Sequence, residues 1–163
     1  MRKFIAAVCL FAASMVNAAE LSSPQAWSIW IVAWGKTFPL HGGDRSILDD
    51  TPSIRITDNR VSMCRAIAAP DDCLVFGITG PDETVWVWSG VDFGTVAGSA
   101  VLFHEFVHVI QNRTRGLPTT CEEYNYNERE VMRLHAELLA DSGDFRAADH
   151  ARDNIRQLDC SQH

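Results

Sequence analysis

From Val101 to Gln111 the chain is apolar except for one tight polar group, and the whole stretch reads as a buried helix. The predicted helix covers Ala97 to Asn112, with Thr95 placed to cap it. Gly98, Ser99 and Ala100 are small enough to let its first turns pack closely on a sheet. That sheet is predicted just upstream. Cys73 to Ile78 and Thr84 to Trp88 carry strand-type residues and flank Thr79-Gly80-Pro81-Asp82-Glu83, a turn sequence, so together they read as a hairpin. Within Pro52 to Thr57, Ile54 and Ile56 alternate with Arg55 and Thr57, which predicts another short strand. Asn59 to Ala68 is a short helix or irregular.

Nearer the N-terminus, Ser22-Ser23-Pro24 starts a helix in which Trp27, Trp30, Ile31 and Trp34 fall at helical spacing, as core or groove wall. His41 to Asp44 is a loop. Downstream, Glu122 to Ala140 is a second long helix with Val131, Leu134 and Leu138 on its apolar face; Ser142-Gly143-Asp144 breaks it, and Ala147 to Leu158 is a last helix. With no internal repeat and no low-complexity linker, the expectation is one α+β domain: a small antiparallel hairpin packed on a pair of long helices.

The first residues change the picture of where this domain works. Met1-Arg2-Lys3 precedes an almost wholly apolar run from Phe4 to Met15, and Val16-Asn17-Ala18-Ala19 supplies small residues for cleavage. Residues 1–19 therefore read as a secretory signal peptide, and 20–163 as the exported domain, in the periplasm or outside the cell. The apolar run is short for a membrane span, and no later segment is long and apolar enough. The net charge of −7 becomes about −9 once Arg2 and Lys3 are removed, a balance that argues against nucleic acid as a partner. Cys9 leaves with the signal peptide, and Cys64, Cys73, Cys121 and Cys160 remain. An even set in an exported chain suggests disulfides. Of the possible pairings, Cys64–Cys73 and Cys121–Cys160 are preferred: one closes a short loop before a strand, the other ties the C-terminal tail to the start of the second long helix. Zinc ligation by these cysteines is the weaker alternative, because no Cys-x-x-Cys pair is present.

The polar group in the buried helix is His104-Glu105-Phe106-Val107-His108. Histidines four residues apart lie one turn above each other on one helix face, where both imidazoles can reach one zinc ion. Glu105 is one step around the helix, within reach of an attacking water but not of the metal itself. This is the pattern of a zinc hydrolase with glutamate as general base. The competing reading is a pair of core histidines satisfied by ordinary hydrogen bonds.

A catalytic zinc site takes three protein ligands and keeps one position open. A third histidine in His108-x-x-Gly-x-x-His is excluded, because Gln111 and Thr114 occupy those offsets. The second long helix offers carboxylates instead. Glu130 borders its apolar face and is the preferred third ligand; Glu137, Glu123, Glu128 and Asp141 follow, with Glu128 pointing further from that face. His135 is a candidate ligand or supporting donor, or simply a half-buried polar residue.

Val101 to Leu139 resembles zinc metallopeptidases of the glutamate-zincin kind, which take two histidines from His-Glu-x-x-His and a glutamate from the following helix. The resemblance implies His104, His108 and Glu130 as ligands of one zinc ion, Glu105 as base, and a zincin-like packing of the two helices. The chain looks closer still to a group of small exported bacterial proteins with a His-Glu-x-x-His-x-x-Gln helix, a cysteine soon after, and a Glu-x-Glu-Ala-Tyr-like second helix. Here those features are His104 to Gln111, Cys121, and Glu128 to Met132, with Val131-Met132 standing where Ala-Tyr is expected.

The expected activity is hydrolysis of a peptide or protein substrate lying along a strand edge at Thr84–Trp88. On that strand Trp86 and Trp88 point to one side and Val85 and Val87 to the other, and either pair can face the core. Tyr124, Tyr126, Arg133 and His135 are available to stabilise an oxyanion. The alternatives are a non-catalytic binding protein stapled by four-coordinate zinc, with His135 or Glu137 as fourth ligand, and a zinc amidase acting on cell-wall material.

Overall fold

The computed structural model describes residues 22–66, 71–156, 158 and 160; the signal peptide expected at 1–19 lies outside them. In chain order the elements are α1 (Ser23–Lys36), α2 (Phe38–His41), α3 (Ser46–Asp49), β1 (Ile54–Thr57), α4 (Arg60–Ala66), β2 (Gly77–Thr79), β3 (Val85–Trp88), α5 (Val96–Arg115), α6 (Cys121–Asp141) and α7 (Phe145–Ile155). The class is α+β. The sheet is mixed rather than purely antiparallel: β3 is central, antiparallel to β2 and parallel to β1, with Ile54 opposite Val85 and Gly77 opposite Val87.

Each long helix starts where a side chain can take a free backbone N–H. Ser22 Oγ accepts from Gln25 N at 3.3 Å, Thr95 Oγ1 from Gly98 N at 3.0 Å, and Thr120 Oγ1 from Glu123 N at 3.1 Å, where Glu123 answers by accepting from Thr120 N. The capping role takes Glu123 out of contention as a metal ligand. Gly98 is required for a different contact from the one expected: a Cβ there would lie 1.9 Å from the carbonyl oxygen of Asp92. The helix start closes against the 92–93 backbone rather than against the sheet.

The main core lies between α1, α5 and β3. Val85 and Val87 face it, fully buried, beside Leu102, Phe103, Phe106, Val109 and Ile110 of α5. Trp30 of α1 meets Phe106 edge-on, with ring centroids 5.2 Å apart. The aromatic series on α1 is only partly core: Trp30 is buried and Trp34 half-buried, whereas Trp27 and Ile31 are exposed. The face buried by α1 runs through Ala26, Trp30 and Ala33 instead. Trp86 and Trp88 occupy the other sheet face, half-buried over Met63, Cys64 and Val75.

Two disulfides secure the periphery, Cys64–Cys73 and Cys121–Cys160, matching the preferred pairing. The first fixes the chain ahead of β2, and the second ties the tail to the first residue of α6. Arg113 of α5 provides a further tie. Its guanidinium donates to Glu83 Oε2 in the β2–β3 turn and to the Ile47 and Asp50 carbonyls, so turn, α3 region and helix share one side chain. No helix among the described residues is long and apolar enough to cross a membrane.

Candidate metal centre

His104 and His108 project from the same face of α5, as their spacing requires. Their Nε2 atoms lie 3.2 Å apart. Glu128 of α6 completes the triangle: its carboxylate is 3.5 Å from His104 Nε2 and 3.1 Å from His108 Nε2. Four ligands held tetrahedrally at zinc bond lengths sit about 3.3–3.4 Å from one another. The observed separations bracket that range. These three residues could therefore hold a metal ion, and among the described residues they are the group arranged to do so.

The carboxylate is Glu128, not the expected Glu130. Glu130 is not part of the triangle: its carboxylate pairs with Arg115, Oε2 to Nη1 at 2.8 Å, and accepts from Gln111 Nε2. The reason lies in which stripe of α6 is buried. Leu138 is only half-buried, and the buried positions include Glu128, Met132, His135 and Leu139 as well as Val131 and Leu134. Glu128, Met132, His135 and Leu139 follow one another at steps of four, three and four residues and extend the core face one turn N-terminally onto Glu128. The other carboxylates are occupied as well: Glu137 pairs with Arg133, and Asp141 with Lys36. A signal for Glu128 was present in the sequence, since it lies seven residues before His135 and so two turns away on the same face.

Both histidines are held from behind. His108 Nδ1 lies 3.0 Å from Gln111 Oε1, and His104 Nδ1 lies 3.4 Å from His135 Nδ1. His135 is buried, and its Nε2 has no hydrogen-bond partner among the described residues. It thus supports His104 rather than reaching the ligand triangle.

Glu105 sits under the sheet edge. Its Oε2 accepts from the Thr79 hydroxyl at 2.8 Å, and its side chain passes so close to β2 that a Cβ on Gly77 would come within 2.8 Å of Glu105 Cγ and Oε1. Only glycine at position 77 lets the carboxyl take this place. Burial raises the Glu105 carboxyl to about 7. Burial also opposes a charge on His108, but the hydrogen bond and charge of Glu128 outweigh it and lift His108 to about 9. Burial holds His104 down to about 3 and His135 to about 4, while the surrounding histidines overcome burial at Glu128 and lower it to about 2. Without metal, the Glu128 carboxylate thus favours a charged imidazole at His108.

The ligand triangle opens into a cleft of about 350 Å³, with Gly77, Ile78 and Thr79 on one wall and Leu117, Pro118, Tyr124 and Asn127 on the other. Of the four donors considered from sequence, only Tyr124 lines this cleft. Tyr126 is exposed beneath Arg115, Arg133 is tied to Glu137, and His135 lies behind His104. Burial raises the Tyr124 phenol, so it remains a proton donor at neutral pH. The expected substrate edge at Thr84–Trp88 is not available, because β3 is paired on both sides. Among the described residues the sheet's edge strands are β1 and β2, and β2 is the one that lines the cleft. Trp88 N donates to Phe76 O and Gly80 N to Thr84 O, both at 2.9 Å. Alternation then turns Ile78 toward β3 and the backbone groups of Gly77 and Thr79 outward, toward the cleft.

Comparison with protein-family models, with curated proteins and with solved structures finds no match to this chain. The residues of the cleft therefore carry the functional argument.

Proposed function

We propose that this protein is a zinc-dependent hydrolase, an exported peptidase that binds substrate along the free edge of β2. The observation that carries this reading is the convergence of His104, His108 and Glu128 at ligand spacing in an open cleft also lined by Glu105. Two histidines and a glutamate form a catalytic donor set, with a position left for substrate or water. A four-ligand structural zinc is less well supported, because His135 lies behind His104, against its Nδ1, and Glu137 is paired with Arg133.

Bound zinc would supply Lewis-acid chemistry, polarising a carbonyl and lowering the pKa of water. The protein supplies the rest. Glu105, poised near neutrality and oriented by Thr79, takes a proton as water oxygen attacks the carbonyl carbon. It returns that proton to the leaving nitrogen as the C–N bond breaks, giving a carboxylic acid and an amine. The Tyr124 hydroxyl donates to the developing oxyanion. Gly77 and Thr79 hold the substrate backbone extended. Both disulfides fit export to an oxidising compartment.

The test is elemental analysis of the mature protein, followed by cleavage of a peptide library read by mass spectrometry. One zinc per chain and new peptide termini are expected. No zinc, even after zinc is offered, would overturn the proposal. Zinc with cleavage of cell-wall amides but not of peptides would replace the peptidase reading with the amidase one.

Metal uptake should also release a proton. A metal needs neutral His108, whereas the metal-free site protonates it up to about pH 9. Calorimetry at pH 8 in two buffers of different ionisation enthalpy should find about one proton released per zinc. Affinity should rise about tenfold per pH unit below pH 9 from this group and level off above. The metal-free fold behaves oppositely: the stability that charged His108 contributes is complete below its unfolded value of 6.5 and is lost as pH rises through about 9. Absence of proton release at pH 8 would show that His108 is already neutral without metal.

A further inference from the structure

We infer that Glu130, Arg115 and Gln111 form a positioning chain that fixes the tautomer and aim of His108. This inference rests on the metal reading above and assigns Glu130 a role outside the ligand set. Gln111 is fully buried, and its amide reaches in two directions. Nε2 lies 3.0 Å from the Asn127 carbonyl oxygen and 2.9 Å from Glu130 Oε2. A carbonyl and a carboxylate only accept, so the Gln111 NH₂ must face them. Its Oε1 must then face His108 Nδ1, 3.0 Å away. An amide oxygen only accepts, so Nδ1 carries the proton. In neutral His108 the bare lone pair is left on Nε2, the atom that meets His104 and Glu128.

Arg115 anchors the outer end of the chain. It donates to Glu130 Oε2 at 2.8 Å and to Oε1 at 3.2 Å, and to Asn127 Oδ1 at 3.1 Å. The guanidinium, at the C-terminal end of α5, thus holds the Glu130 carboxylate that orients Gln111 and the side chain of Asn127, whose backbone carbonyl is the other acceptor. The chain joins α5 to α6 across the site, so one device sets both the helix spacing and the ligand geometry. Histidine ligands depend on such partners, and losing one costs about 10–100-fold in metal affinity.

The experiment measures zinc affinity by chelator competition on wild type, Gln111→Leu and Glu130→Gln. It also follows the exchangeable imidazole N–H resonances of each protein loaded with cobalt. Glu130→Gln preserves shape, so it covers the case in which Gln111→Leu fails to fold. The expected result is wild-type zinc binding, with affinity about 10–100-fold lower in both variants. The His108 Nδ1–H signal should exchange rapidly with water in Gln111→Leu, while the His104 signal, held by His135, persists as an internal control. Unchanged affinity and a protected His108 N–H in the folded variants would overturn the chain and leave the metal reading intact. Failure of the wild type to bind zinc would overturn both.

Discussion

Glu105→Gln should retain zinc, lose about 10²–10⁴-fold in kcat/KM, and make the metal-free protein more stable at pH 8. The activity loss follows from the proposed role: an amide cannot take a proton from water and pass it to a leaving nitrogen. The stability gain follows from where the carboxyl sits. Glu105 is 5% exposed, beneath Gly77, and burial raises it from 4.5 to about 7. A raised carboxyl pKa means that the fold favours the protonated form. The cost of ionisation begins as pH climbs past 4.5, the unfolded value, and is complete above about 7.

That shift amounts to at most about 3 kcal/mol, or on the order of 5–10 °C in melting temperature for a domain of this size. The Gln oxygen can still accept from Thr79, so the hydroxyl of Thr79 is not left unpaired. With zinc bound, the cation offsets the buried anion, and the advantage of the amide should shrink. Two melting curves per protein, with and without zinc, check this against parallel rate measurements. Full activity in the variant would remove Glu105 as the base. An unchanged metal-free melt at pH 8 would show that its burial does not penalise the charge.

Much of this arrangement is legible in the chain because local rules govern it. The spacing of His104 and His108 fixes their shared face whatever the fold. Thr95 caps its helix for reasons contained within a few residues, and the two disulfides follow from the order of the cysteines and the elements between them. What failed to read through depends on packing between elements. Choosing between Glu130 and Glu128 requires the rotation of α6 about its own axis, and of the face read through Val131, Leu134 and Leu138 the first two are buried while Leu138 is only half-buried. Measured from that face Glu128 points further away, yet the packed helix buries it beside the histidines that offset its burial. The strand edge was misplaced for a similar reason. A hairpin of β2 and β3 leaves both outer edges open, and only the long-range parallel pairing of β1 closes the one on β3.

The ranking of the α6 carboxylates gives the second large effect. Glu128→Ala should lower zinc affinity by on the order of 10³-fold or more, exceeding the 10–100-fold typical of a supporting residue. The loss has two sources. One of three ligands disappears, and the remaining histidines lose the charge that neutralises the ion. Metal-free Glu128→Ala should also stop binding the His108 proton at neutral pH, since the carboxylate is what lifts that imidazole to about 9 against burial. Proton release on adding zinc at pH 8 should therefore fall from about one toward zero. Glu128→Gln should behave alike, because the neutral amide keeps the shape but neither replaces the anionic ligand nor supports a charged imidazole. Glu130→Ala is the contrasting case: its weaker effect on zinc should leave the His108 proton in place, because Glu128 remains. Chelator competition and buffer-dependent calorimetry on the three variants separate the roles. If Glu130→Ala abolished binding while Glu128→Ala spared it, Glu130 would take the ligand position, and the His104–His108–Glu128 centre would be overturned.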